Sequence, residues 1–291
     1  MNTNEVSFPE GAVRVLDKGF VKLVDVMGDD ASIVQAARVS YGKGTKTVSE
    51  DEGLIRYLMR HQHTTPFEMV EFKFHCRMPI FVARQWIRHR TANVNEVSAR
   101  YSEMPDLFYQ PAPEICTTQS AQNKQGGTGK QVEGAGEVSA SFVRTQAATY
   151  EEYQHYLEKK MRRELARVNL PVSLYTEWYW KIDLHNLFHF LKLRLDKHAQ
   201  YEIRVFAEAM ASLVKERVPV AWKAFEDYSL NSLPFSALEL KLVARLIKGE
   251  KLSGSDLETA IPNKRERNEC ASKLAQLGYS IETSTVSDDK F

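Results

Sequence analysis

The chain has little of several things, and each shortage excludes something. Its 291 residues hold three cysteines. These are Cys76, Cys116 and Cys270, far apart and without a CxxC pair, which argues against a disulfide framework or a cysteine-built zinc site and fits a reducing compartment. Neither charge is in excess: 39 basic against 38 acidic side chains leave +1, so no global field draws the chain to nucleic acid or an anionic membrane, and any anion binding has to be local. No apolar run approaches the roughly eighteen residues that cross a bilayer, and the opening stretch MNTNEVSFPEG is polar and acidic. The expected compartment is the cytoplasm. A GxGxxG turn for a Rossmann-held dinucleotide is missing. GGTGK at 126–130 falls short of a phosphate loop, because Lys124 stands where the first glycine belongs and Gln131 where Ser or Thr should follow the lysine.

What is present, 43% hydrophobic and 26% charged residues, suits one large domain or a domain with an appendage. Residues 20–27 and 67–77 alternate as half-buried strands, with Val70, Phe72, Phe74 and Cys76 on one face of the second. Most of the rest reads as helix. Ser49 to Glu52 forms a capping box opening a helix through Leu54, Leu58 and Met59. A long amphipathic helix is predicted over 142–168, inward at Tyr150, Tyr153, Leu157, Met161, Leu165 and Val168. Two more are predicted over 184–195 and 198–216, the latter with Phe206, Met210 and Leu213 inward. The class is α+β, a mostly helical domain around a small antiparallel sheet. The glycine-rich stretch 117–141 reads as a mobile loop. Past Pro234, capping pairs Ser236/Glu239, Ser255/Glu258 and Asn263/Glu266 mark short helices, the first and last ending near Gly249 and Gly278. The expected division is a domain over 1–232 and a helical extension over 233–291.

Chemistry concentrates in ARQWIRHRTANVNEVSARYS. Arg84, Arg88, Arg90 and Arg100 with His89 meet only Glu96 as counter-charge, and no lysine occurs there. Guanidinium forks bind phosphate or carboxylate, so the block reads as an anion site. On a helix over 79–90, Ile80, Ala83 and Ile87 share one arc and Arg84, Gln85, Arg88 and His89 the other. Arg90 falls among the apolar positions, so either the helix ends near Arg88 or Arg90 meets a partner or ligand. A solvated basic face is the bland alternative, and a phosphate track for nucleic acid, with Trp86 and Tyr101 as stacking aromatics, is another. Arg194 lies at the edge of a leucine arc; its bland reading is a salt bridge to Asp196 or Glu202. Arg167 is alternatively one charge among many on a long helix. His61/His63, His185/His189 and His198/Glu202 have metal-like spacings, but no HExxH occurs. No metal is expected. Lys264, Arg265 and Arg267 in the extension read as a solvated face.

The same block resembles the signature of the flavin-dependent thymidylate synthases, RHRxxSxNExSxRY. Arg88, His89, Arg90, Asn95, Glu96, Ser98, Arg100 and Tyr101 agree with it, and Asn93 stands in place of its first serine. LVDVMGDDASIVQAARVSYG, YLMRHQHTTPFE, PIFVARQW, ELARVNLP and LRLDKHAQYEIR also look like the family, in its order, so the resemblance runs over roughly 14–228. It implies methylation of dUMP to dTMP, with methylenetetrahydrofolate as carbon donor, FAD as redox carrier and NADPH as reductant. It further implies a homotetramer with active sites between subunits. The nucleotide would be held by Gln85, Trp86, Ile87, Arg88, Glu96, Val97, Ser98, Ala99, Arg100, Arg167 and Arg194, with Arg194 catalytic through the uracil imide. FAD would be contacted by Thr65, Arg88, His89, Arg90, Glu96, Asp183, Leu184, His185 and His189. Ser98 is expected in phosphate binding, since no triad or activated thiol accompanies it.

Overall fold

The computed structural model describes residues 6–39, 51–120, 126–279 and 281. Two compact units emerge, Met1–Leu230 and Asn231–Phe291. The strands are β1 (Val13–Val15), β2 (Gly19–Met27), β3 (Glu71–Pro79), β4 (Asn93–Glu96), β5 (Thr117–Gln119), β6 (Gly127–Gln131) and β7 (Tyr175–Asp183). In the first unit the helices are α1 (Asp30–Arg38), α2 (Asp51–Arg60), α3 (Thr65–Glu68), α4 (Ile80–Trp86), α5 (Ala135–Glu158), α6 (Arg163–Ala166), α7 (Leu184–Arg194), α8 (Tyr201–Lys215) and α9 (Pro219–Phe225). A π-turn, Glu226–Leu230, follows α9. The class is α+β.

The sheet runs β1-β2-β3-β7-β4, and all its pairings are antiparallel. Alternation explains its two faces: Val70, Phe72, Phe74 and Cys76 are fully buried, and so are Trp178, Trp180 and Ile182 across the β3–β7 pair. Each large side chain buried there contributes about 1.5–3 kcal/mol. The other face of this pair carries His75, Glu177, Tyr179 and Lys181. Gly19, at the β1–β2 turn, has no room for a side chain, since a Cβ would sit 2.7 Å from the Val15 carbonyl oxygen and 2.8 Å from that of Arg77.

Several expectations need correction. The second strand begins at Glu71, because Pro66 at the start of a helical turn makes Thr65–Glu68 α3. The sheet's central partner β7 was not expected from the sequence at all. The long helix ends at Glu158: Lys160 takes φ +60°, and Met161, Leu165 and Val168 are exposed beyond it. Within the stretch expected as a loop over 117–141, the described residues form the paired strands β5 and β6 and the first turns of α5, and 121–125 lie outside the described residues. The expected capping box at Ser49 lies outside the described residues. Helix α7 matches its expected span, and α8 opens at Tyr201 with Phe206 and Met210 fully buried.

The second unit packs α10 (Ala237–Ile247), α11 (Gly254–Ala260) and α12 (Lys264–Gln276) around Leu242, Leu257, Cys270 and Leu274. The Ser236/Glu239 box forms as expected, and Asn263 caps α12. The middle box is Ser253/Asp256 rather than Ser255/Glu258. The nearly buried Glu239 carboxylate takes the Lys273 ammonium at 2.8 Å, so its charge is compensated inside the unit.

Candidate functional site

Helix α4 stops at Trp86, so the arginine block leaves the helix before Arg88. The inward face is Val82, Ala83 and Trp86 rather than the predicted arc, and Ile87 is exposed. Trp86 decides this. Its indole meets Trp178 and Trp180 edge-on, with ring centroids 5.3 and 5.2 Å apart, and lies 5.2 Å from Phe190. A fully buried Trp86 therefore anchors the site from below, its side chain facing the core. One of the two aromatics that a nucleic-acid track required goes with it. Helix α7 packs on the same aromatic floor through Leu187, Phe190 and Leu191 and ends at Arg194.

The Arg194 guanidinium is half-buried and donates from Nε to His89 Nε2 at 3.2 Å. Burial, with the nearby charges of Arg194 and His189, pushes the His89 imidazole down to about 4. His89 is thus neutral near pH 7, as an acceptor must be. Burial and the positive charge of Arg88 also push Arg194 below its ordinary value. Neither predicted salt bridge forms: Asp196 takes His198 at 2.9 Å and Glu202 takes Tyr109 and Gln200. Among the described residues no carboxylate lies within ion-pairing distance of Arg88, Arg90 or Arg194.

Two cavities open around these groups. One of about 580 Å³ is walled by Gln85, Arg88, Arg194, His198 and Gln200, with Thr117, Gln119 and Gly127 of β5 and β6 on its far side. The other, of about 540 Å³, is lined by Arg88, His89, Arg90, Asn186, His189 and Arg194. Arg88 and Arg194 belong to both. A third cavity, about 280 Å³, brings His63 to His185, His189 and Lys192 under the aromatic wall of Phe225 and Tyr228. Thr65 lies beside His63 on a neighbouring apolar cavity with Tyr57 and Met69. His63 has a metal-like spacing in the sequence and is not among the residues expected to contact FAD. Its position between Thr65 and α7 was legible in HQHTTP, but only once α2, α3 and α7 are seen to meet. Among the described residues no three metal-ligating side chains converge.

The remaining expected residues lie elsewhere. Glu96 and Val97 line a separate cavity of about 460 Å³ with His75, Arg77 and Glu177. The Glu96 carboxylate accepts from the Thr176 hydroxyl at 2.5 Å. The Val97 N–H is committed to the Glu177 carbonyl at 2.9 Å, and Ala99 is buried. Ser98 Oγ accepts from the Arg100 N–H at 3.3 Å, and Arg100 pairs with Glu164 at 3.2 Å. Arg167 stands half-buried one turn beyond Glu164, at the end of α6 rather than on a long helix. On α7, Leu184 is fully buried, and the Asp183 carboxylate is engaged as helix cap by the Asn186 N–H at 2.9 Å and side-chain amide at 2.8 Å. The Leu184 side chain is core, while His185 is half-buried and His189 exposed.

Residues 22–220 match the sequence model of a family described as thymidylate synthase complementing protein. A flavin-dependent thymidylate synthase of Wolbachia pipientis is 55% identical over 262 residues, covering 90% of this chain and 91% of that protein. One of Thermus thermophilus is 58% identical over 238 residues, covering 82% and 87%. Among solved structures, a UMP/dUMP methylase, PolB, from Streptomyces cacaoi bound with 5-Br dUMP superposes with a TM-score of 0.68 at 34% identity, covering 75% of this chain and 99% of that one.

Proposed function

The chain belongs to the flavin-dependent thymidylate synthase family, enzymes that methylate dUMP to dTMP, and on that premise we propose how its own residues divide the reaction. The observation that carries the proposal is the pair of cavities sharing Arg88 and Arg194, where guanidinium groups stand without carboxylate partners among the described residues.

The cofactor is FAD, and the cavity of Arg88, His89, Arg90 and His189 fits it. Uncompensated guanidiniums suit a pyrophosphate, and a neutral imidazole suits a flat ring. His185, with Thr65 and His63 across the neighbouring cavities, extends the same surface. When bound, FAD supplies the reducing equivalents, drawn from NADPH, that turn the carbon of methylenetetrahydrofolate into a methyl group. The dUMP base sits in the adjoining cavity against Arg194. His89 holds the Nε edge of that guanidinium, leaving its two terminal nitrogens to the pyrimidine. A poorly screened positive charge there lowers the pKa of the imide N–H and stabilises the ionised ring. No side-chain nucleophile is needed.

The phosphate is held by Arg100, Arg167 and Ser98. In one chain these line neither arginine cavity, and the cavity of Glu96 and Val97 shares no residue with that of Gln85, Arg88 and Arg194. A second copy of the chain completes each site in this reading, which makes the assembly an oligomer, a homotetramer in the family's pattern.

Arg194→Ala tests the assignment. The variant is expected to retain flavin absorbance and lose about 10²–10³-fold in turnover, the usual cost of one charge-stabilising donor. A variant that makes dTMP at the parental rate overturns the role.

A further inference from the structure

Gln200 occupies the N-cap of α8, yet its side chain makes no capping bond. It turns instead to two neighbours: its Nε2 donates to Glu202 Oε2 at 2.8 Å, and its Oε1 accepts from Gln85 Nε2. The second carboxylate oxygen, Glu202 Oε1, accepts from the Tyr109 hydroxyl at 3.3 Å. Polarity is imposed from the far end of this chain of bonds. Both Glu202 oxygens act as acceptors, so the NH₂ side of the Gln200 amide must face Glu202 and its carbonyl must face Gln85. The NH₂ side of Gln85 must then face Gln200, which leaves the Gln85 carbonyl oxygen uncommitted among the described residues. Tyr109 reinforces this. Burial and the Glu202 charge push its phenol well above the ordinary range, so it remains a donor.

Gln85 and Gln200 line the same cavity as Arg88 and Arg194. dUMP carries two donors besides its phosphate, the imide N–H and the one sugar hydroxyl, and a phosphate dianion has none to offer. Arg194 presents only donors and so matches the imide's carbonyl oxygens and its ionised nitrogen. The sugar hydroxyl is left. We propose that Glu202 and Gln200 are positioning residues that fix the Gln85 amide with its carbonyl oxygen toward the cavity, where it accepts from the sugar hydroxyl of the nucleotide. The proposal rests on the reading that this cavity takes dUMP.

The test crosses protein variants with a trimmed ligand. Holoenzyme is titrated with dUMP and with its 2′,3′-dideoxy analogue, and KM and kcat for dUMP are measured alongside flavin content. The parent is expected to bind the analogue about 3–10-fold more weakly than dUMP, the worth of one hydrogen bond. That ratio falls to within about twofold in Glu202→Gln, whose own amide lets the relay reverse, and in Gln85→Ala. Glu202→Asp, which keeps a carboxylate, retains most of the ratio, and flavin content stays at the parental level in all three. The effect falls on KM rather than kcat. A Glu202→Gln enzyme with the full parental ratio overturns the relay if Gln85→Ala has lost it. If Gln85→Ala and Arg88→Ala both bind dUMP as the parent does, the placement of the nucleotide fails instead, and the relay's assignment with it.

Discussion

The two halves of the arginine motif differ in what their charges do within one chain. In the Arg88–Arg90 half the guanidiniums, with Arg194 beside them, face two cavities and have no carboxylate within reach among the described residues. In the Glu96–Arg100 half every named polar group is already engaged: Glu96 by Thr176, Val97 by Glu177, Ser98 by the Arg100 amide and Arg100 by Glu164. The first half sets exposed Arg88 and Arg90 beside a half-buried Arg194 whose charge is disfavoured by burial and by Arg88, so an anionic ligand gains most there and that half should dominate affinity. A ligand at the second half displaces internal partners, and each exposed pair it replaces is worth only about 0–1 kcal/mol.

Substitutions can break or sharpen that contrast. The largest effect is expected for Arg88→Ala, which removes a guanidinium shared by both cavities. Flavin content and dUMP affinity should fall together, dUMP affinity by about 10-fold or more, the scale of a lost charge-assisted contact at about 1.5–3 kcal/mol. Equilibrium dialysis with FAD and nucleotide reads both, and a variant losing one ligand alone separates cavities that the account joins. At the other extreme, Ser98→Ala should keep measurable turnover with dUMP affinity lowered about 2–10-fold. Steady-state kinetics decide it; complete loss of turnover at unchanged nucleotide affinity assigns Ser98 to chemistry instead.

The same contrast marks what the sequence could tell. The sheet face of β3 was legible because Phe72, Phe74 and Cys76 alternate without interruption, and α7 and α8 because their apolar spacing holds through each helix. Strand β7 escaped although Trp178, Trp180 and Ile182 alternate as cleanly; it runs straight into α7, where aromatic and leucine residues suit either period. The 142–168 helix failed because the apolar spacing continues past Lys160, whose left-handed backbone ends α5 regardless. For the candidate site, residue types and spacing picked out Arg88, His89 and Arg194, which the fold brings together, but Trp86 and Leu184 lie inside the same motifs and face the core. Which side of a short helix is buried depends on what packs there, and the Trp178–Trp180–Phe190 floor comes from distant sequence. The engagement of Val97 by Glu177 and of Arg100 by Glu164 is likewise tertiary, and no local pattern records it. The relay of Glu202, Gln200 and Gln85 joins residues 115 positions apart.

In the proposed function, the cavities sharing Arg88 and Arg194 place a flavin beside a pyrimidine nucleotide for reductive methylation. One measurement addresses it most directly: purified protein loaded with FAD is bleached anaerobically with NADPH and then mixed with dUMP and methylenetetrahydrofolate. The expected result is return of the flavin colour together with dTMP in matching amount, both requiring the nucleotide. A preparation that cannot take up FAD, or that recolours without forming dTMP, contradicts it.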